Sequence, residues 1–305
     1  MENKTPAPFE ESNSLAQALL LIGMSFMGFC LFMAVLTVLQ VMGLIDMAKF
    51  SDAASYADKN VVSNMRNVML LQDLMIFIIP AAVFSFLVSR NRVQYLQMNR
   101  IGNPRFLFLG ILTMLASIPL INFLGELNHM LPLPEFLQRM EQDGNAIEAA
   151  FEQQHTVYDL IYNLFVMALF AGFSEELFFR AGLQKVLIKM AKNIHTGIWI
   201  TAAIFSAIHF QFYGFIPRML LGVFLGYLYV WSGSLWVGIF AHFMFNGSQI
   251  LAAYLQPGKD SSTGVFSETP GYAFITLSTL LVIALLIRAY KVSQKKDNDV
   301  IVTSE

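Results

Sequence analysis

Cysteine is nearly missing from this chain, which holds one residue, Cys30, in 305. No disulfide can form within it. Cys30 lies inside an apolar run, without the electropositive, accessible setting a thiolate nucleophile needs, so its expected role is inert packing. Charge is scarce too: Asp, Glu, Lys and Arg make up 13% of the residues, against roughly 25% in soluble domains, which excludes an ordinary water-facing surface. The formal net charge is -2 and the cations fall into a few short clusters, so no basic stripe exists to bind nucleic acid. Internal repeats, low-complexity tracts and a polar second domain are also missing, and residues 1–305 read as one domain.

What remains is apolar. Hydrophobic residues make up 56% of the chain and the mean hydropathy is +0.58. A membrane-spanning helix needs about 20 mostly apolar residues. Eight segments qualify: 15–44, 68–88, 106–130, 158–189, 194–210, 216–231, 235–255 and 272–290. The expected fold is an all-α, polytopic membrane protein of about eight transmembrane helices, surrounded by membrane lipid. Pro119 sits inside the third segment, where a membrane helix tolerates it as a kink. The polar leader carries Glu2, Glu10 and Glu11 against Lys4. The apolar run behind it is longer than the about 7 to 15 residues of a signal core, so the first helix is expected to stay as an anchor.

The cations set an orientation. Arg90, Arg92, Arg100 and Arg105 follow the second segment, Lys185, Lys189 and Lys192 the fourth, and Arg288, Lys291, Lys295 and Lys296 the eighth. With an even helix count all three clusters share one side, which the positive-inside rule makes cytoplasmic, together with both termini. Residues 131–155, acidic through Glu135, Glu141, Asp143, Glu148 and Glu152, are then expected outside. His129 and His155 fall at helix ends or in that loop and are expected in water, whereas His195 falls at the cytoplasmic turn near lipid headgroups. Trp199, Trp231 and Trp236 read as packing or interfacial anchors.

Within this apolar background a few polar residues stand out. Glu175, Glu176 and Arg180 share the fourth segment, His209 ends the fifth, and His242 and Asn246 lie in the seventh. An ionised side chain at a bilayer centre costs roughly 2.5 to 3.5 kcal/mol on insertion scales, so such residues usually pair around a functional cavity. If the fourth and fifth helices form a hairpin turning at Lys192 and Asn193, Glu175 and His209 each lie about 25 Å from the turn and share a level. His242 lies roughly 13 Å into the seventh helix, a difference that tilt can absorb. Glu176 and Arg180 are four apart and can form an ion pair on one face, while Glu175, rotated by about 100°, faces elsewhere. His242 and Asn246 are also four apart, and Phe205, one turn before His209, can wall the same cavity.

The strings Glu175-Glu176-Leu177-Phe178-Phe179-Arg180, Phe205-Ser206-Ala207-Ile208-His209 and His242-Phe243-Met244-Phe245-Asn246 resemble, in order, the three motifs of the CAAX-protease and bacteriocin-processing family, also called Abi. The resemblance covers about residues 158–255, the expected catalytic core. It implies an intramembrane endopeptidase of glutamic type acting on a peptide or protein substrate. Carried over by position, Glu175 is the general base and His209 orients the water or shares its proton. His242 and Asn246 donate to the tetrahedral intermediate, and Glu176 and Arg180 hold the site together. Substrates open to such an enzyme include prenylated C-terminal CAAX peptides, bacteriocin leader peptides and other membrane-proximal peptides. The residues permit this chemistry by themselves: a carboxylate among apolar neighbours suits proton abstraction near neutral pH, and fixed donors in a dry cavity stabilise developing negative charge.

Two other readings use the same residues. Glu175, His209 and His242 are ligand types found in catalytic zinc sites with one position open to water, although no His-Glu-x-x-His pair lies on one helix, and the resemblance favours a site without cofactor. A non-enzymatic scaffold, an immunity factor or a proton-coupled transporter would also place carboxylates and histidines in the membrane. Asn246 separates these classes, since a proton relay has no need of a carboxamide beside His242 and an oxyanion site does.

Overall fold

The computed structural model describes residues 6–50, 52–152, 156–256 and 271–302, and the regular elements among them are helical. His155 lies outside the described residues. The main helices are α1 (Ser14–Val41), α2 (Lys59–Val88), α3 (Pro104–Ala116), α4 (Ile118–His129), α5 (Glu135–Glu152), α6 (Val157–Ala191), α7 (Ile194–Ala207), α8 (Phe215–Ser232), α9 (Leu235–Leu255) and α10 (Tyr272–Val302). Side-chain caps fix several starts where the chain enters the apolar layer. Asn13, Asn103 and Asn193 accept from the amides of Ala16, Arg105 and Thr196 at 2.8 to 2.9 Å. Thr156 and Asp159 cap each other reciprocally at the head of α6. Each cap satisfies an amide that has no partner inside its helix.

All eight apolar segments form helices, but fewer than eight are full spans. Among the described residues six helices are long and apolar enough to cross a membrane, and α3 with α4, bent by 42°, makes a seventh if counted as one span. The fifth expected span is α7, with 14 residues. At 1.5 Å per residue that is about 21 Å, short of the roughly 30 Å hydrocarbon layer. Its apolar run continues to residue 210, yet the helix stops at Ala207 because the chain turns there, with Phe210 at a φ of 56°. The expected kink at Pro119 is a break: α3 ends at Ala116 and Pro119 occupies the first turn of α4, where its missing N–H costs nothing. The Ala116 carbonyl beside the break accepts from Ser278 Oγ of α10 at 2.6 Å.

Among the described residues three stretches are wound with wider, π-helical turns, Leu74–Ile78 in α2 and Leu164–Phe170 and Glu176–Gln184 in α6. Such turns leave backbone groups seeking partners and are common at functional sites. Ser25 Oγ of α1 donates to the Ile76 carbonyl at 2.8 Å. Gly28 lets the two helices touch there, since a Cβ in its place would stand 2.1 Å from the Met75 oxygen. Apolar side chains such as Leu19, Phe26, Leu277 and Leu280 point outward from α1 and α10, as a lipid-facing surface requires. Cys30 is on that outer surface too, not in the packing expected of it.

The two ends of the bundle differ. At one end the 89–103 segment closes over the α8–α9 turn: Leu235 N donates to the Gln97 oxygen at 3.0 Å, Ser234 Oγ to the Arg100 oxygen at 2.8 Å and Trp236 Nε1 to the Met98 oxygen at 3.1 Å. Lys185, expected among the free loop cations, is instead packed against Tyr95, 4.6 Å from its ring, and donates to its carbonyl. At the other end α5 lies across the bundle. Its Ala150 and Phe151 pack on Tyr56, Val61, Val62 and Met65, and Glu141 Oε2 accepts from the Tyr213 amide at 3.1 Å. His129, exposed as expected, stacks on the Tyr213 ring at 4.0 Å.

Candidate active site

Helix α6 carries Glu175, Glu176 and Arg180, the turn after α7 carries His209, and α9 carries His242 and Asn246. The structure brings all of them together with Phe205. Glu175 is the centre: its Oε1 lies 3.7 Å from His209 Nε2 and its Oε2 lies 3.6 Å from His242 Nε2. The level shared by Glu175 and His209, expected from hairpin symmetry, is therefore present, and His242 reaches the same carboxylate despite its expected offset.

The opposite ring nitrogens are pinned. His209 Nδ1 lies 2.8 Å from the Phe205 carbonyl oxygen, which can only accept, so Nδ1 carries the proton. His242 Nδ1 lies 3.1 Å from Glu176 Oε1, again an acceptor when the carboxylate is ionised. Both neutral imidazoles thus turn a lone pair toward Glu175, itself an acceptor. At 3.6 and 3.7 Å these contacts are too long for hydrogen bonds, leaving three acceptors around a space that calls for a donor such as water. The accessible side is that of His209, whose side chain is 26% exposed against 13% for Glu175 and 8% for His242.

Behind this group lies the expected ion pair, Arg180 Nη1 to Glu176 Oε1 at 3.1 Å, with both side chains buried. Arg180 also sits over the Phe205 ring at 4.8 Å, and the Phe205 ring is 5.0 Å from His209 and 6.1 Å from His242. Phe205 therefore walls the site as its spacing implied. Asn246 Nδ2 donates to the Met167 carbonyl at 3.2 Å, a group of the wide-turned stretch Leu164–Phe170. One amide hydrogen is held there and the other remains for a ligand.

Glu175, Phe205, His209, His242 and Asn246 line a cavity of about 690 Å³ whose wall also includes Met69, Gln72 and Arg218. Among the described residues no group of three or more His, Cys, Asp and Glu side chains is placed to hold a metal ion. Three polar contacts went unforeseen. Ser174 Oγ donates to Asp73 Oδ2 at 3.0 Å, tying the residue before Glu175 to α2. Arg66 pairs with Asp159 at 3.0 Å between α2 and α6. Arg218 donates to Gln211, at 3.2 Å to its carbonyl and 2.8 Å to its side-chain oxygen. The charges themselves, scarce in an apolar chain, were the available signal, but their partners lie up to 101 residues away.

Residues 158–248 match the family model described as type II CAAX prenyl endopeptidase Rce1-like. The uncharacterized protein YpbD of Bacillus subtilis (strain 168) is 28% identical over 181 residues, which cover 58% of this chain and 83% of that protein. No solved structure matches. The matched segment starts in the first turn of α6 and ends within α9, so it contains every residue of the polar cluster. It supports a peptidase with a peptide or protein substrate at the membrane. The three motifs fall within this matched segment, so the resemblance read in them and the match to the Rce1-like, type II CAAX prenyl endopeptidase model rest on the same residues, 158–248.

Proposed function

We propose that this chain is an intramembrane endopeptidase, built as one membrane domain with residues 158–255 as its catalytic core, that cleaves a membrane-associated or C-terminal peptide with water activated by Glu175 and His209. The observation that carries this reading is the convergence of both Nε2 atoms on the two oxygens of Glu175, at 3.7 and 3.6 Å. A water in that space gives a proton to Glu175 as its oxygen attacks the peptide carbonyl carbon. The oxyanion that forms is met by the free Asn246 N–H and by His242. To donate from Nε2, the neutral His242 first takes a second proton from solvent in the cavity, with the Glu176 carboxylate, 3.1 Å from Nδ1, as its counter-ion. The proton on Glu175 then passes to the leaving nitrogen as the C–N bond breaks, restoring the carboxylate.

Glu175→Gln keeps the shape and removes the proton acceptor. Peptide hydrolysis by the purified variant should fall by about 100-fold or more, with expression and thermal stability in detergent unchanged. Full activity would take Glu175 out of the chemistry. Activity of the native chain should survive a chelator, and loss that zinc restores would favour the metal arrangement of Glu175, His209 and His242 instead.

A further inference from the structure

The cavity around Glu175 runs toward one end of the bundle only. Its outer wall is Gly144, Ile147 and Glu148 of α5, Gln211 and Gly214 of the α7–α8 turn, and Gln256 at the exit of α9. Among the described residues its lining includes none from 89–103, from the α6–α7 turn or from the α8–α9 turn. Those turns form a floor, bonded by Leu235 N to the Gln97 oxygen, Ser234 Oγ to the Arg100 oxygen and Trp236 Nε1 to the Met98 oxygen.

Charge separates along the same axis. The floor and its neighbouring turn carry Arg90, Arg92, Arg100, Lys189 and Lys192, while Asp46, Asp52, Asp58, Glu135, Glu141 and Glu148 occupy the segments at the open end. Lys49, Lys59, Arg139 and the cavity-lining Arg218 are cations at that end, and Glu10 is an acid at the floor end, beside the Phe9 N to Leu87 oxygen bond. In membrane proteins the end rich in Lys and Arg in short loops faces the cytoplasm, and acidic residues contribute little to that choice. The cations alone therefore orient the bundle, and the open end is the one they leave.

We propose that the site is entered from the non-cytoplasmic face, beneath α5, and that its substrate is a peptide segment presented on that side of the membrane. This rests on the peptidase reading for the word substrate, whereas the side of access stands on the cavity and the charges. A cytoplasmic chain end, prenylated or not, would meet the bonded floor instead of the cavity.

The test uses the full chain in a Cys30→Ser background, which leaves no native thiol. Gln256→Cys, at the cavity rim, should react with a membrane-impermeant maleimide in intact spheroplasts. Lys192→Cys, at the floor end, should react only after lysis. Gln142→Cys, on the exposed face of α5, gives a second reading of the rim if the first variant folds poorly. Labelling of Lys192→Cys but not of the rim in intact spheroplasts overturns the proposal, as does equal labelling of both ends. Peptide libraries are then offered to spheroplasts and to inverted vesicles, with cleavage expected in spheroplasts alone. Cleavage in inverted vesicles alone overturns the proposal. If the rim labels from outside and neither preparation cleaves, the peptidase reading fails while the side of access stands.

Discussion

Gly238 and Glu176 share a space that no side chain can enter, since a Cβ on residue 238 would stand 2.6 Å from Glu176 Oε2. The carboxylate has little freedom to move away, because its other oxygen lies 3.1 Å from both Arg180 Nη1 and His242 Nδ1. Gly238→Ala should therefore displace Glu176 and turn the His242 ring from Glu175. Misplacement by about 1 Å can cost 100-fold in rate, so kcat should fall by about 10- to 100-fold with helical content unchanged by circular dichroism. Native turnover in this variant would show that the carboxylate can shift without moving His242.

Asn246 makes a second, different prediction. Its amide is already held by the Met167 carbonyl, so the free N–H is pre-aimed into the cavity. Asn246→Ala should lower kcat by roughly 100- to 1000-fold and leave substrate affinity nearly unchanged, the behaviour of an oxyanion-hole donor. Asn246→Asp should be at least as damaging, because an ionised carboxylate repels both the Met167 oxygen and the oxyanion. A rise in KM with turnover intact would make Asn246 a contact for bound substrate only.

The Arg66–Asp159 pair concerns stability. It joins α2 to the first turn of α6 with side chains 2% and 8% exposed, and Arg66 also lies over the Tyr162 and Phe151 rings. Asp159 is covered but sits at the head of its helix near the outer end, so its loss of hydration is incomplete. Arg66→Met should cost about 1 to 3 kcal/mol, between an exposed pair and one fully buried. Adding Asp159→Leu should recover part of that loss, measured as the midpoint of thermal unfolding in detergent. A double variant weaker than the single one would mean that Asp159 acts through its cap on Thr156.

Glu148 gives the pH dependence. Its carboxyl opens into the cavity, and the surrounding atoms of the wall push it up from the ordinary 4.5, with Arg218 and Gln211 opposing. A raised acid favours its neutral form in the folded state, so the penalty is absent below the unfolded value and grows as pH rises through the folded one. Because the residue itself is exposed, solvent screens most of this penalty, so Glu148→Gln should raise the unfolding midpoint only slightly at pH 8 and change little at pH 4. A variant less stable at pH 8 would mean that the Arg218 attraction outweighs burial.

Much of the fold could be read from hydropathy, because apolar runs near 20 residues have few options in lipid. The meeting of Glu175, His209 and His242 could be read as well, since hairpin symmetry and the 1.5 Å rise fix levels from the sequence alone. The shortness of α7 could not. Ile208 and Phe210 extend the apolar pattern, but the chain leaves the helix to present His209, a tertiary demand without local signal. The role of α5 was hidden for a related reason: a polar loop sequence does not announce which cavity it covers. Asp73 and Ser174 stand 101 residues apart, and nothing in either neighbourhood names the other.

The bonded floor beneath Glu175 also has a kinetic consequence. With the Gln97 and Arg100 carbonyls tied to the α8–α9 turn, a fragment released by cleavage has to depart by the route along which the next peptide arrives. If the chain is the peptidase proposed, fragment and peptide compete for one passage, so the retained product should act as a competitive inhibitor that raises the apparent KM as it accumulates and leaves kcat unchanged.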